Sequence, residues 1–378
     1  SLDKASVQDY TLIIKIFYFQ KYQEAYDQKS YVLDRYRKNL MRGEQTMTGA
    51  ICGTGACVPA RILDNNEIAK FVDTSDQWIQ ERTGVIRRRI AVEESTASMA
   101  AEAGRQALKE AGIRPEEIEM ILAATATPDH IFPCAACEIQ ERLQAVNAVC
   151  FDLNAACSGF LFAYQTAQAY IAAGMYKTIL VVGSECLSRI VNWEDRGTCI
   201  LFGDGSGAVV LKAEEGRNWI SAAHSDGKGG PALLCTGPNA AKAGKEGNLP
   251  GQSVDWGGSA EMEISMDGKA VFQFAVRKVP EVIHEVLDSN GLTAEDIDWF
   301  ILHQANKRIV ESVAKRLKTD ISRFPMNLQE YGNTSSASIP ILLNEMNRRG
   351  LLKKGQKIVM AGFGAGLSWG AAVLEWGI

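Results

Sequence analysis

The chain is poor in histidine and has no surplus of positive charge: it carries 4 His, and 40 Lys plus Arg against 45 Asp plus Glu in 378 residues, for a formal charge of −5. Without clustered Lys and Arg it cannot be held mainly by nucleic-acid phosphates or anionic lipid, so neither nucleic acid nor membrane is expected as a partner. Long apolar runs are missing as well. The longest near the start, Thr11 to Phe19, is about nine residues and carries Lys15, against the roughly 20 residues that span a bilayer. No basic segment precedes that run and no small-residue cleavage site follows it, so no signal peptide is read and a cytoplasmic location is expected.

Cys134 and Cys137 form a lone C-x-x-C with no second pair and no nearby His-x-x-x-His, which favours packed thiols over a zinc site. The nine cysteines are scattered, several within apolar runs (Cys52, Cys150, Cys186, Cys199), as reduced buried thiols are, rather than arranged as a disulfide framework. Nucleotide loops are absent in turn. Gly203-Asp-Gly-Ser-Gly207 and Gly362-Phe-Gly-Ala-Gly366 have the wrong spacing for G-x-G-x-x-G, neither contains G-K-[ST], and Gly53-Thr-Gly55 lacks a third glycine. No metal and no cofactor are therefore expected. What remains is ordinary globular composition, 46% apolar and 22% charged, with material for two or three domains.

Residues 1–46 differ from the rest. Six of the ten tyrosines lie there and no glycine precedes Gly43, whereas Met47 opens a segment that reads as a strand and a Gly/Pro turn. The working protein is expected to begin near Met47, residues 1–46 being a leader or appended segment. The remainder contains an internal repeat. AGIRPEEIEMILAATATPD, from Ala111, matches NGLTAEDIDWFILHQANKR, from Asn290, at an offset of 179; KTILVVG (177–183) parallels QKIVMAG (356–362), and Gly207-Ala-Val-Val-Leu parallels Gly370-Ala-Ala-Val-Leu. The unit of strand, helix, buried strand, Gly-rich turn and strand predicts a layered α/β protein of two halves, 47–220 and 221–378, related by a pseudo-twofold axis. His224 to Gly258 holds nine glycines and reads as surface loops between them.

The repeat singles out polar residues. His303 stands at the end of a buried strand where its counterpart is Ala124, and aligning the helical blocks on Gly174 and Gly350, at an offset of 176, sets Cys157 against Asn333. Both then lie at a loop-to-helix junction after a strand, where α/β sheets gather ligands. A thiol at a helix N-terminus feels unpaired N–H groups and the positive end of the dipole, which favour thiolate, so Cys157 is the candidate nucleophile. His130, His224 and His284 lack such a setting. The Gly364-Ala365-Gly366 turn can present an N–H to a developing oxyanion, with the Cys157 N–H as second donor.

From about Met47 onward the sequence resembles the β-ketoacyl-acyl-carrier-protein synthase III family, condensing enzymes of the thiolase-like superfamily. The blocks that carry the resemblance stand in order: DTSDQWIQERTGVIRRR, NAACSGF, DRGTCILFGDGSGA, LHQANKRI, YGNTSSASIP and GFGAGLSWG. It implies a thiolase-like αβαβα fold and an acyltransferase that initiates fatty-acid synthesis. Cys157 would take a short acyl group from acyl-CoA, a substrate rather than a cofactor. Malonyl-acyl-carrier protein would then lose CO2, and its enolate would attack the acyl-cysteine while His303 and Asn333 steady the enolate oxygen. By the same resemblance, Trp78 and Arg196 would sandwich the CoA adenine, with Thr74 and Arg82 nearby and Asn306 toward the pantetheine. Arg308, Lys315 and Arg316 would meet the acidic carrier protein, and Phe132 would enter the partner's acyl tunnel in a homodimer. Lys269 stands where relatives often have Asn, and Ala365 where they often have Gly. A condensing enzyme of secondary metabolism or polyketide synthesis with another starter is the alternative. Cysteine peptidases share the Cys, His, Asn order, but the repeat and the absence of C-G-S-C-W argue against them.

Overall fold

The computed structural model describes residues 46–236 and 262–378. The proposed leader lies outside them except for Thr46. Residues 47–214 and 218–378 form one compact unit. In chain order its first elements are β1 (Met47–Cys57), β2 (Ile62–Asp64), α1 (Asp76–Thr83), β3 (Arg87–Arg89), α2 (Thr96–Ala111), β4 (Met120–Ala124), α3 (Ala135–Leu143), β5 (Val149–Leu153), α4 (Gly159–Ala172), β6 (Thr178–Glu185) and β7 (Gly205–Glu215). There follow β8 (Ala222–Ser225), β9 (Leu233–Cys235), β10 (Ile264–Met266), α5 (Gly268–Asn290), β11 (Trp299–Leu302), α6 (Lys307–Leu317), α7 (Ser338–Arg348), β12 (Lys357–Gly364) and β13 (Ser368–Glu375).

Two main sheets result, ordered β1-β7-β6-β4-β5 and β11-β12-β13-β8. Their pairing is equivalent. β4 runs parallel to β6 and β6 antiparallel to β7, as β11 runs parallel to β12 and β12 antiparallel to β13. Strand alternation then decides which way each residue faces. On β4, Met120, Leu122 and Ala124 join a central core with α4 and α7, whereas Ile121 and Ala123 pack with α2 and α3. In the second sheet Ile301, Ile358, Met360, Ala372 and Leu374 face the same central core, and Phe300, Leu302, Val359 and Val373 pack with α5 and α6. The layers are α2/α3, sheet, α4/α7, sheet and α5/α6, the αβαβα order expected.

Local chemistry sets the element ends. α2 opens on a reciprocal Ser95–Ser98 capping box and closes on Gly112 at φ 64°. The Gly53-Thr-Gly55 string, tested above as a nucleotide loop, serves packing instead. A Cβ at Gly53 or Gly55 would lie 2.2 Å from Ala107 O or 2.0 Å from Ala103 O, so the glycines let α2 rest directly on β1. α6 is amphipathic, burying Ile309, Val310, Val313, Ala314 and Leu317 and exposing Lys307, Arg308, Lys315 and Arg316.

The stretch after residue 220 departs from the loops expected. His224 lies in β8, paired with Trp369 of β13 and stacked on its ring at 5.3 Å between centroids. Ala-Ala-His-Ser has no β-branched alternation; the edge strand is specified by its partner and not by local propensity.

The two halves meet closely at β6, where a Cβ on Gly183 would stand 2.4 Å from Ser336 O. Gly183→Ala is expected to lower the unfolding free energy by about 3 kcal/mol, the upper end of over-packing costs. The readout is a lower urea midpoint at unchanged m-value; a loss below about 1 kcal/mol would mean that the Ser336 backbone yields freely.

Candidate active site

After β5 the chain passes Asn154 and makes a tight turn, Ala156–Ser158, into α4. Ala156 takes φ 46°, a left-handed conformation uncommon outside glycine, and its N–H donates to Asn154 Oδ1 at 3.2 Å. The second half repeats the device. A turn at Ser335–Ala337 leads into α7, Ser335 takes φ 50°, and its N–H donates to Asn333 Oδ1 at 2.8 Å. Asn154 is therefore the counterpart of Asn333, and Cys157 that of Ser336, at the same offset of 179 as the strands. This corrects the pairing of Cys157 with Asn333. The length difference lies inside the helices, 14 residues in α4 and 11 in α7, so aligning on the glycines at their ends shifted the turns by three.

Strand alternation turns His303, one residue past β11, toward the central layer, where the first residue of α7 meets it. Its Nδ1 lies 2.7 Å from Ser338 Oγ, and the Gln304 N–H donates to that same oxygen at 3.4 Å. With the Ser338 hydroxyl donating to Nδ1, the neutral ring would carry its own proton on Nε2 as a donor. Burial lowers the His303 pKa to about 3, so the imidazole is uncharged at any working pH. Asn333 uses its oxygen on the Ser335 turn, which leaves the NH2 group as the donor it can offer.

Cys157, His303 and Asn333 line one cavity of about 450 Å³ together with Trp78, Arg82, Lys269, Asn306, Phe363 and Gly364 among others. Gly364 matters because a Cβ there would come 2.8 Å from Cys157 N, so only glycine lets the end of β12 pass the Cys157 turn. A second cavity of about 70 Å³ also reaches Cys157, lined by Ala156, Leu187, Phe202, Ser335 and Ala365 among others.

The thiol does not behave as its position in sequence suggested. Burial pushes the Cys157 pKa up to about 12, the nearby Glu185 carboxylate acts in the same sense, and a hydrogen bond with Ser335 opposes both. Raising a thiol from 9.0 to about 12 corresponds to about 4 kcal/mol. A helix N-terminus contributes at most about 2 kcal/mol. Desolvation wins, and the resting group is the thiol.

Of the other residues singled out, Trp78 sits in the first turn of α1 with the Arg196 guanidinium 5.0 Å and the Arg82 guanidinium 5.8 Å from its ring centroid. Arg196 is held by Asp73 O at 3.0 Å, and the nearby Thr74 hydroxyl oxygen is buried without a partner, although Thr74 is not among the residues lining the cavity. Asn306 caps α6 by accepting from Arg308 N–H and donates to Arg82 O at 3.0 Å, which ties α6 to α1 across the cavity mouth. Arg308 lies over Phe272, another lining residue, while Lys315 and Arg316 are exposed two turns further along α6. Phe132, 84% exposed, lines neither cavity of its own chain. The sequence reading missed Glu185, Ser335 and Ser338. The one available signal was a carboxylate ending the apolar strand TILVVGSE, at the position where the repeat has Gly364. Among the described residues no helix is long and apolar enough to cross a membrane, and no group of His, Cys, Asp or Glu could hold a metal.

Comparison with known proteins agrees with this architecture. Residues 151–229 match the family described as 3-oxoacyl-[acyl-carrier-protein] synthase III, and residues 287–376 its C-terminal counterpart. The β-ketoacyl-[acyl-carrier-protein] synthase III of Clostridium acetobutylicum is 48% identical over 327 residues, covering 86% of this chain and 98% of that one. That of Nostoc sp. is 46% identical, covering 88% and 99%. Among solved structures, 3-oxoacyl-[acyl-carrier-protein] synthase III from Aquifex aeolicus superimposes with a TM-score of 0.79 at 40% identity over 87% of this chain and all of that one. The priming β-ketosynthase of the R1128 polyketide pathway reaches 0.81 at 33%, over 88% and 97%. The fold is that of the thiolase-like condensing enzymes. Within that class, the chain belongs to the β-ketoacyl-acyl-carrier-protein synthase III family.

The protonation of Cys157 is directly measurable. The difference in thiolate absorbance near 240 nm between wild type and Cys157→Ser is expected to show no step from pH 6 to pH 10, because a thiol with a pKa of about 12 stays protonated throughout. A step centred near pH 7 would reveal a preformed thiolate.

Proposed function

We propose that this chain initiates fatty-acid synthesis by joining a short acyl group to a malonyl unit carried on acyl-carrier protein, giving 3-oxoacyl-acyl-carrier protein, CoA and CO2. The observation that carries the reading is the meeting of two cavities at Cys157. The larger one brings His303 and Asn333 to the sulfur, and the smaller, about 70 Å³ and lined by Leu187, Ile190, Phe202 and Leu233 among others, offers an apolar branch for the acyl chain.

In the first stage the Cys157 sulfur attacks the thioester carbonyl of acyl-CoA, the Cys157 and Ala365 N–H groups stabilise the oxyanion, and CoA leaves. In the second stage a malonyl thioester enters the same cavity. Loss of CO2 places negative charge on its carbonyl oxygen, and the His303 Nε2–H and the Asn333 NH2 are neutral donors suited to that charge. The enolate carbon then attacks the acyl-cysteine and releases the sulfur. An imidazolium would also attract the anion; burial enforces the neutral form, so the site favours charge that forms over charge that is already present. No cofactor takes part in either stage. Support for CoA entry comes from the Trp78 ring, which has the Arg82 and Arg196 guanidinium groups 5.8 and 5.0 Å from its centroid. Arg196 covers the ring, so an adenine would enter by displacing it outward and stacking between the two. Arg308 at the mouth, with Lys315 and Arg316, forms the cationic surface for the acidic carrier protein. Phe132 is left free to enter a second copy of the chain in a homodimer, and a cytoplasmic location suits these substrates.

Incubation with radiolabelled acetyl-CoA is expected to label Cys157, with loss of label in Cys157→Ser; label on another cysteine would overturn the assignment. His303→Ala and Asn333→Ala are expected to acylate normally yet decarboxylate malonyl-acyl-carrier protein at least about 100-fold more slowly, as loss of an oxyanion donor does elsewhere. Unimpaired decarboxylation would remove them from that role. Trp78→Ala is expected to raise the KM for acetyl-CoA about tenfold with kcat little changed, in line with about 1–3 kcal/mol per stacked base; an unchanged KM would place the adenine elsewhere.

A further inference from the structure

Glu185 is a wholly buried carboxylate that the two stages above do not use. It ends β6, and each of its oxygens faces a different segment. Oε2 accepts from the Ala126 N–H at 3.0 Å and from the Thr125 and Thr127 hydroxyls at 3.3 and 2.8 Å. Oε1 accepts from the Ser335 and Ser336 hydroxyls at 3.1 and 2.8 Å. The groups bonded to it are four hydroxyls and one amide, and no ion pair reaches it among the described residues. A carboxylate so placed is expensive to desolvate without a counter-ion, and a structural role alone is filled as well by a neutral amide.

The arrangement on Oε1 gives the carboxylate a second use. Ser335 lines the smaller cavity beside Cys157, where its hydroxyl is the side chain that stabilises a thiolate, and its Oγ donates to Glu185, so one hydroxyl stands between the sulfur and the carboxylate. Its proton points to Glu185, which leaves its lone pairs to accept from the thiol. Cys157 and Glu185 repel each other as anions, and burial raises the affinity of both for a proton. Two buried acids this close hold one proton between them more readily than none. His303 is the only other titratable group of the triad, and its ring is committed to Ser338 on one side and to donation on the other.

We propose that Glu185 accepts the Cys157 thiol proton through the Ser335 hydroxyl. The S–H proton passes to Ser335 Oγ as the Ser335 proton passes to Glu185 Oε1, and the sulfur pair forms the bond to the acyl carbon. The thioester C–S bond breaks, and CoA departs as thiolate to be protonated by solvent. When the enolate later displaces Cys157, the sulfur takes back the proton from Glu185 by the same path, and the carboxylate is restored. Glu185 acts on the thiol only through Ser335, as a positioning and proton-holding group.

The inference rests on the acyl-transfer reading for its purpose, but its test does not need acyl-CoA. Alkylation of Cys157 by iodoacetamide in the full chain is followed against pH for wild type, Glu185→Gln, Ser335→Ala and His303→Ala. Wild type and His303→Ala are expected to show a limb nearly level with pH, because the proton moves within the protein. Glu185→Gln and Ser335→Ala are expected to react about 100-fold more slowly at pH 8 and to speed up about tenfold per pH unit, as hydroxide replaces the internal base. Ser335→Ala covers the case in which Glu185→Gln fails to fold, since the carboxylate keeps its other four donors. Acylation by acetyl-CoA is expected to slow in the same two variants, while malonyl decarboxylation by any acyl-enzyme formed stays within about threefold of wild type. Level profiles in both variants would overturn the proposal. So would a hydroxide-dependent profile in His303→Ala alone, or equal losses in acylation and decarboxylation with the pH profile unchanged. If wild type shows the expected alkylation profile but takes no label from acetyl-CoA, the relay stands and the assigned reaction is what fails.

Discussion

The turn that carries Cys157 can rest against the end of β12 only because position 364 has no side chain, and the matching turn at Ser335 rests against β6 because position 183 has none. Those two close approaches press the starts of both central helices onto the ends of both sheets. Everything polar at the site follows from that compression. It removes water from the sulfur and the imidazole, and it leaves each turn in a left-handed conformation that an asparagine oxygen holds in place. Strain of this kind persists only where the surroundings over-determine it.

Duplication supplied two similar frames, and their polar content then diverged. Where one half has Ala124 the other has His303; where one has Glu185 the other has Gly364; where one has Cys157 the other has Ser336. Each polar member faces a small residue in its counterpart, so the two sets of functional groups interleave without colliding. The same burial acts differently on each acid and base. It holds the thiol protonated, keeps the imidazole neutral and raises the carboxylate. A dry site of neutral groups stabilises charge that develops in the transition state better than it stabilises a resting ion.

Much of this was legible along the chain. The periodicity of MILAA and WFIL and their offset of 179 showed two equivalent sheets, because a strand buried on both faces must read as a continuous apolar run. His303 stood out for the same reason, as an imidazole where its counterpart has a methyl group. The errors had separate causes. Cys157 was matched with Asn333 because helix-end glycines were taken as the anchor, and a helix can lose nearly a turn without disturbing what lies at its start. β8 went unread because a four-residue edge strand takes its conformation from its neighbour.

The sequence by itself determined the layers, the repeat and the candidate nucleophile, since hydrophobic period and residue type are local properties written in order along the chain. Only the tertiary structure decided the state of that nucleophile. Whether a sulfur is thiol or thiolate depends on how much water is excluded and which charges lie across the fold, and Glu185, Ser335 and Ser338 reach Cys157 and His303 from segments that sequence distance keeps apart. Folding packs those groups around the sulfur and the imidazole, and in that setting desolvation outweighs the helix terminus that the sequence alone could show.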